Sequence, residues 1–159
     1  MTRIPDAMLA ELHPRVTAWV EAQERLILEQ GEGLDESEMR IASQAGVLKP
    51  ERVRLLAVAQ VPLPQEGTLR RAAQAFGFVS EMTDGLTVGY GFFVRKSRRK
   101  DPALVAHELV HVAQYERYGG VQGFLAKYLA EINDHCYDSA PLELEAVAFE
   151  KSSLWRPAP

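Results

Sequence analysis

The spacing with the clearest chemistry in this chain is Leu104-Val105-Ala106-His107-Glu108-Leu109-Val110-His111-Val112-Ala113-Gln114. In an α-helix, residues four apart stand one turn above each other. His107 and His111 would therefore aim two imidazole nitrogens at one metal ion. Glu108, turned about 100° from His107, is poorly placed to be a ligand but can reach a water held by the same ion. Zinc lowers the pKa of such a water to about 7. Glu108 could then take its proton and pass it to a leaving amine, which is the logic of an HExxH helix in peptide hydrolysis. Leu109 and Val110 are uncharged, as are Val105, Ala106, Val112 and Ala113, as suits a helix packed behind a site, where a charge would be unpaired.

Two histidines do not complete a catalytic zinc site, which usually has three protein ligands and an open position. The sequence holds four histidines (His13, His107, His111 and His135) and a single cysteine, Cys136. An internal disulfide and a cysteine-rich zinc site are thereby excluded. The third ligand must come from His135, Asp134, Asp138, Glu143, Glu145 or Glu150. The helix opening at Pro141 is the best source. Glu143 lies in its first turn, where the helix dipole favours a carboxylate. Glu145 is two positions on and faces elsewhere, so the two should not share one ion. Tyr137 and His135, in the loop before that helix, are candidates for stabilising a developing oxyanion.

The elements that must hold these residues read as follows. Residues 6–30 form a long helix, with Leu9, Leu12, Val16, Val20, Gln23 and Ile27 on one stripe and Gly31 and Gly33 ending it. A second helix covers 36–45, N-capped by Asp35, with Gly46 near its C-cap. Residues 52–61 read as a strand of ambiguous period, and 69–76 as a helix. Within 77–96, GFVSEM and LTVGYGFFVR are β-rich runs, and Thr83-Asp84-Gly85 between them carries an Asp-Gly hairpin signal. Gly89 and Gly91 suggest a bulge or a close backbone approach. Asp101 caps the metal helix and Pro102 suits its first position; Gly119-Gly120 ends it. Further helices are expected over 121–133 and from Pro141 to about Ser153, with a fraying LWRPAP tail. The sum is one α+β domain over 1–159, mostly helical, with a small antiparallel sheet or hairpin before the HExxH helix. Its parts are an N-terminal helical region 1–50, the hairpin 77–96 and the metal-binding region 101–153.

The segment HELVHVAQ followed by a helical glutamate resembles the gluzincin-type zinc metallopeptidases, and among them small bacterial members with HEL-x-HV-x-Q, a glycine-rich break and P-L-E-x-E-A. The resemblance covers roughly residues 85–150. It implies a zincin-like fold, a Zn²⁺ cofactor and hydrolysis of peptide bonds, with His107, His111 and Glu143 as ligands and Glu108 as general base. The Ala146 register selects Glu143 over Glu145. Such families carry Asp or Asn at the position of Val147, where it supports a histidine ligand; its absence here requires another group in that role. The resemblance also implies that peptide or protein substrate adds to the strand Leu86–Val94 by main-chain hydrogen bonds.

Competing readings remain open. A zincin fold that binds metal without cleaving anything would serve as a binding or scaffold protein. Residues 38–56 have Ala42 and Gly46 at helix-turn-helix spacing, followed by Lys49, Arg52 and Arg54. Pro50 falls where a recognition helix would start, and the net charge is −4, so nucleic acid is not the expected partner. The run from Arg95 to Lys100 is basic enough for a phosphate but reads as a solvated loop. No stretch approaches about 18 uninterrupted apolar residues, and no signal-like N-terminus is evident, so a cytoplasmic protein with no membrane partner is expected.

Overall fold

A computed structural model describes residues 3–159; the first two residues of the expected 1–159 domain lie outside it. Over the described residues the fold is α+β and mostly helical, with six α-helices around one four-stranded sheet. Helix α1 spans Asp6–Gln30, α2 Glu36–Ala45, α3 Gly67–Ala75, α4 Pro102–Arg117, α5 Val121–His135 and α6 Pro141–Lys151. The strands are β1 (Glu32–Gly33), β2 (Arg54–Val58), β3 (Gly85–Val88) and β4 (Gly91–Arg95). Among the described residues, no helix is long and apolar enough to cross a membrane.

The helix ends follow local chemistry. Asp35 accepts from the Glu38 amide while Glu38 returns to the Asp35 amide, a complete capping box. Asp101 accepts from the Ala103 and Leu104 amides, with Pro102 at the first helical position. The α6 N-terminus has no cap of its own; the buried Glu131 of α5 supplies the acceptor for the Leu142 amide at 2.9 Å.

The sheet corrects two expectations. Its order is β1-β2-β4-β3, and β2 and β4 run parallel, so the sheet is mixed. The hairpin is also displaced. Residues 77–84 form no strand, Gly85 opens β3, and the tight turn is Gly89-Tyr90 between β3 and β4. Gly89, with φ +73°, sits where a type II′ hairpin turn takes glycine. The Asp84-Gly85 pair carried the composition of a turn without flanking strands of matching register. Asp84 instead binds Arg95 and Arg98.

Side chains alternate across the sheet. Leu86, Val88 and Phe93 join α1 and α5 on one face; Leu55, Phe92 and Val94 join α2 and α4 on the other. Residues 54–56 of the helix-turn-helix candidate thus belong to strand β2, not to a recognition helix. In the basic run, Arg95, Arg98 and Arg99 are engaged by Asp84, Asp101, Glu32 and Glu38. The tail is anchored rather than frayed at Trp155, whose indole N–H donates to the Phe149 and Glu150 carbonyls, both at 3.0 Å.

Gly91 is where α1 meets the sheet: a Cβ there would lie 2.8 Å from the Ile27 Cβ. We expect Gly91→Ala to destabilise the fold by about 1–3 kcal/mol through overpacking. Thermal unfolding followed by circular dichroism reads this directly; an unchanged midpoint would mean α1 does not seat against β4 so closely.

Candidate metal centre

Helix α4 is buried on nearly every side, with Ala106, Leu109 and Val112 fully enclosed by α2, the sheet and the C-terminal segment. What remains exposed to a cavity is the ridge of His107, Glu108 and His111. Opposite stands Glu143 on α6, itself 3% exposed. The His107 and His111 Nε2 atoms are 3.2 Å apart. One Glu143 oxygen lies 3.5 Å from His107 Nε2 and the other 3.4 Å from His111 Nε2. Zinc bonds of 2.0–2.2 Å at tetrahedral angles put ligand atoms roughly 3.3–3.5 Å apart. The three groups therefore have the dimensions of a tetrahedral zinc face, and they could hold a metal.

The protonation states point the same way. His107 Nδ1 lies 3.0 Å from Glu150 Oε2, and a carboxylate can only accept, so Nδ1 carries hydrogen. His111 Nδ1 lies 2.8 Å from Gln114 Oε1. The Gln114 amide is oriented by its nitrogen, which donates to the Leu142 carbonyl at 2.9 Å and Glu145 Oε2 at 3.0 Å. His111 Nδ1 is therefore a donor as well. In the neutral rings both Nε2 lone pairs then face each other, an arrangement that needs either a cation or one shared proton between them.

Burial pushes the His107 imidazolium down, but its hydrogen bond to Glu143 and the charges of Glu108 and Glu143 prevail, and its pKa rises to about 9. His111 is raised for the same reasons, against full burial. Burial likewise works against the Glu143 charge, yet His111 and the bonds from both rings and Tyr128 hold it well below the usual carboxylate range. Glu108 goes the other way. It is enclosed, and the two imidazoles and Thr87 offset only part of that cost, so its pKa is raised. Thr87, on the α4 side of β3 by strand alternation, donates to Glu108 Oε2 at 2.6 Å. A Cβ at Gly85 would press on the same carboxylate. Gly89 and Gly91 are also places of close approach, but to the Glu24 and Ile27 side chains of α1 rather than to the cavity.

The remaining candidates separate cleanly. Tyr137 lines the cavity, and burial and the Glu143 charge keep its hydroxyl protonated. His135 is not in the loop but is the last residue of α5; it is exposed and does not line the cavity. Asp134 pairs with Arg3, Asp138 is exposed, and Glu145 pairs with Arg117. Glu150, considered as a ligand, reaches His107 Nδ1 instead. It lies one turn beyond Val147 and supplies the support missing there. Tyr128 was legible only as a member of the α5 apolar stripe; its hydroxyl donates to Glu143 Oε1 at 2.5 Å. The described α1 residues do not line the cavity; α1 is a core element.

Set against protein-family models, curated proteins and solved structures, the chain matches none.

Two outcomes follow. With its folded pKa near 9 and an unfolded value near 6.5, His107 stabilises the metal-free fold fully below pH 6.5, and that contribution is lost as pH rises to 9. Zinc must displace the proton, so calorimetry at pH 7.5 in buffers of differing ionisation enthalpy should find about one proton released per ion. No release would show the rings are already neutral. Separately, Gln114→Leu and Glu150→Ala should each weaken zinc binding about 10- to 100-fold without loss of fold, read by competition with a chromophoric chelator.

Proposed function

We propose that the chain is a zinc-dependent peptidase, with His107, His111 and Glu143 holding the metal. The observation that carries this reading is the pair of imidazoles locked with Nε2 toward Nε2 across from Glu143, with Glu108 opening into the same cavity. When bound there, zinc would supply Lewis-acid polarisation of a carbonyl and activation of water.

The chain's own residues have distinct tasks. Glu108 takes the proton of the attacking water. Its Oε2 is held by Thr87, so Oε1 is the free acceptor. Its raised pKa suits a group that must accept a proton and then give it to the leaving amine. Tyr137 would donate its hydroxyl to the oxyanion that develops on the carbonyl. Substrate alignment falls to β3. Arg95 N–H donates to the Asp84 carbonyl, and by antiparallel alternation Gly85 and Thr87 turn their main-chain groups away from β4. The outward Thr87 carbonyl already accepts from the buried Tyr115 hydroxyl at 3.2 Å, so a peptide could add as a further strand only alongside Gly85 and the Thr87 N–H. The expected strand Leu86–Val94 shortens to Gly85–Val88 for this purpose, because β4 lies inside the sheet.

One observation favours the second reading, a zincin-like fold that binds metal without catalysis. The cavity measures about 30 Å³, room for an ion and a water but not for a peptide.

The experiment is metal content per chain by elemental mass spectrometry, followed by a peptide-library cleavage assay. Wild type, Glu108→Gln and Glu145→Ala should carry about one zinc, while His111→Ala and Glu143→Ala should lose it. Cleavage by wild type, lowered at least ~100-fold in Glu108→Gln, supports a peptidase. Bound zinc with no cleavage leaves the non-catalytic reading, and no zinc in wild type removes both.

A further inference from the structure

Phe78 is placed by the end of α3. The Gly77 amide donates to the Gln74 carbonyl and the Phe78 amide to the Ala73 carbonyl, with Gly77 at φ +73°. This is a Schellman stop, which turns the residue after the glycine back onto its own helix. The ring of Phe78 then lies between two cavities and lines both. On one side is the metal cavity of about 30 Å³. On the other is an apolar cavity of about 10 Å³ between α1 and α3, whose walls include Leu9, Leu12, Val16, Trp19, Leu69 and Leu129. The ring meets Tyr128 edge-on at 5.9 Å and Trp19 at 6.4 Å, and Tyr128 bonds the Glu143 carboxylate.

Neither cavity admits a side chain as it stands. Moving Phe78 would join them and add the volume of the ring. The space so made would open onto the two histidines at one end and be walled by hydrocarbon at the other. A charged or amide group there would lose its water without gaining a partner. The seat is already filled by a phenyl ring, so its shape and polarity suit one.

We propose that Phe78 occupies the position of a substrate side chain and determines specificity. The peptide taken by this site carries a large apolar residue, Phe, Leu or Met, beside the scissile bond, and its side chain displaces Phe78. This rests on the peptidase reading above. Displacement from a mostly closed state lowers apparent affinity by the fraction of open molecules. Shortening residue 78 should relieve that penalty for large apolar groups and leave small ones unaffected.

The test uses the full chain loaded with zinc and two probes, acetohydroxamic acid and 3-phenylpropanohydroxamic acid, with calorimetric affinities and Trp19-region fluorescence as readouts. The phenyl probe should bind about tenfold or more tightly than the methyl one. Phe78→Leu should widen that ratio by about another tenfold while acetohydroxamate affinity stays put. Phe78→Ala should widen it further; if Phe78→Ala does not fold, wild type and Phe78→Leu still decide. Equal affinity for both probes in wild type and Phe78→Leu overturns the role of Phe78 and leaves the metal site standing. Binding of neither probe by zinc-loaded protein overturns the catalytic reading and this proposal with it.

Discussion

The His107 and His111 Nε2 atoms face one another at 3.2 Å, a contact that repels when both rings are neutral and holds only with a proton or a cation between them. The rest of this fold is arranged to impose that contact. Helix pitch alone would only place the rings on one side of α4. What fixes them is the hydrogen on each Nδ1, drawn outward by Glu150 and Gln114. Both supports depend on α6, one directly and one through the Leu142 carbonyl and Glu145. The seating of α6 depends in turn on the Glu131 carboxylate at its first turn. A cation between the rings would take the place of that proton and use the same buried hydrogen bonds.

The charges around the site follow the same logic. Glu108, Glu143 and Glu150 approach the two histidines, and neither Lys nor Arg lines the cavity. With neutral rings the enclosed charge is negative, and buried negative charge needs a counter-charge. A divalent ion offsets it where a single proton does so only in part. The opposed shifts of Glu143 and Glu108 sort the carboxylates by task. The one bonded by both rings and Tyr128 stays ionised, and the one shielded among apolar groups holds a proton more readily.

The sequence revealed those parts that depend on one element at a time. Helix boundaries at Asp35, Asp101 and Pro141 were legible because capping is local. The partnership of His107 with His111 was legible because it is helix pitch. Glu143 was singled out partly by position and partly by resemblance, and the geometry brings it to both rings. The parts that escaped are relations between elements. The hairpin was sought at Asp84-Gly85 because composition marks a turn but not which strands flank it. Tyr128 looked like a core residue because its stripe is apolar and only its hydroxyl reaches Glu143. Glu150 as the substitute for the residue missing at Val147 required knowing how α6 lies across α4. Phe78 had a local signal, the Phe-Gly-Phe end of α3, but nothing in it said what the ring would face.

The anchoring of Trp155 reaches further than it first suggests. Its indole closes the last turn of α6 at the Phe149 and Glu150 carbonyls, and Glu150 is the group that holds His107 Nδ1. A cut in the exposed stretch just before it, at Ser153 or Leu154, would release that turn to fray. His107 would then be less firmly aimed at His111 and Glu143. Trimming of the carboxyl end would in this way loosen the paired histidines from a point far along the chain.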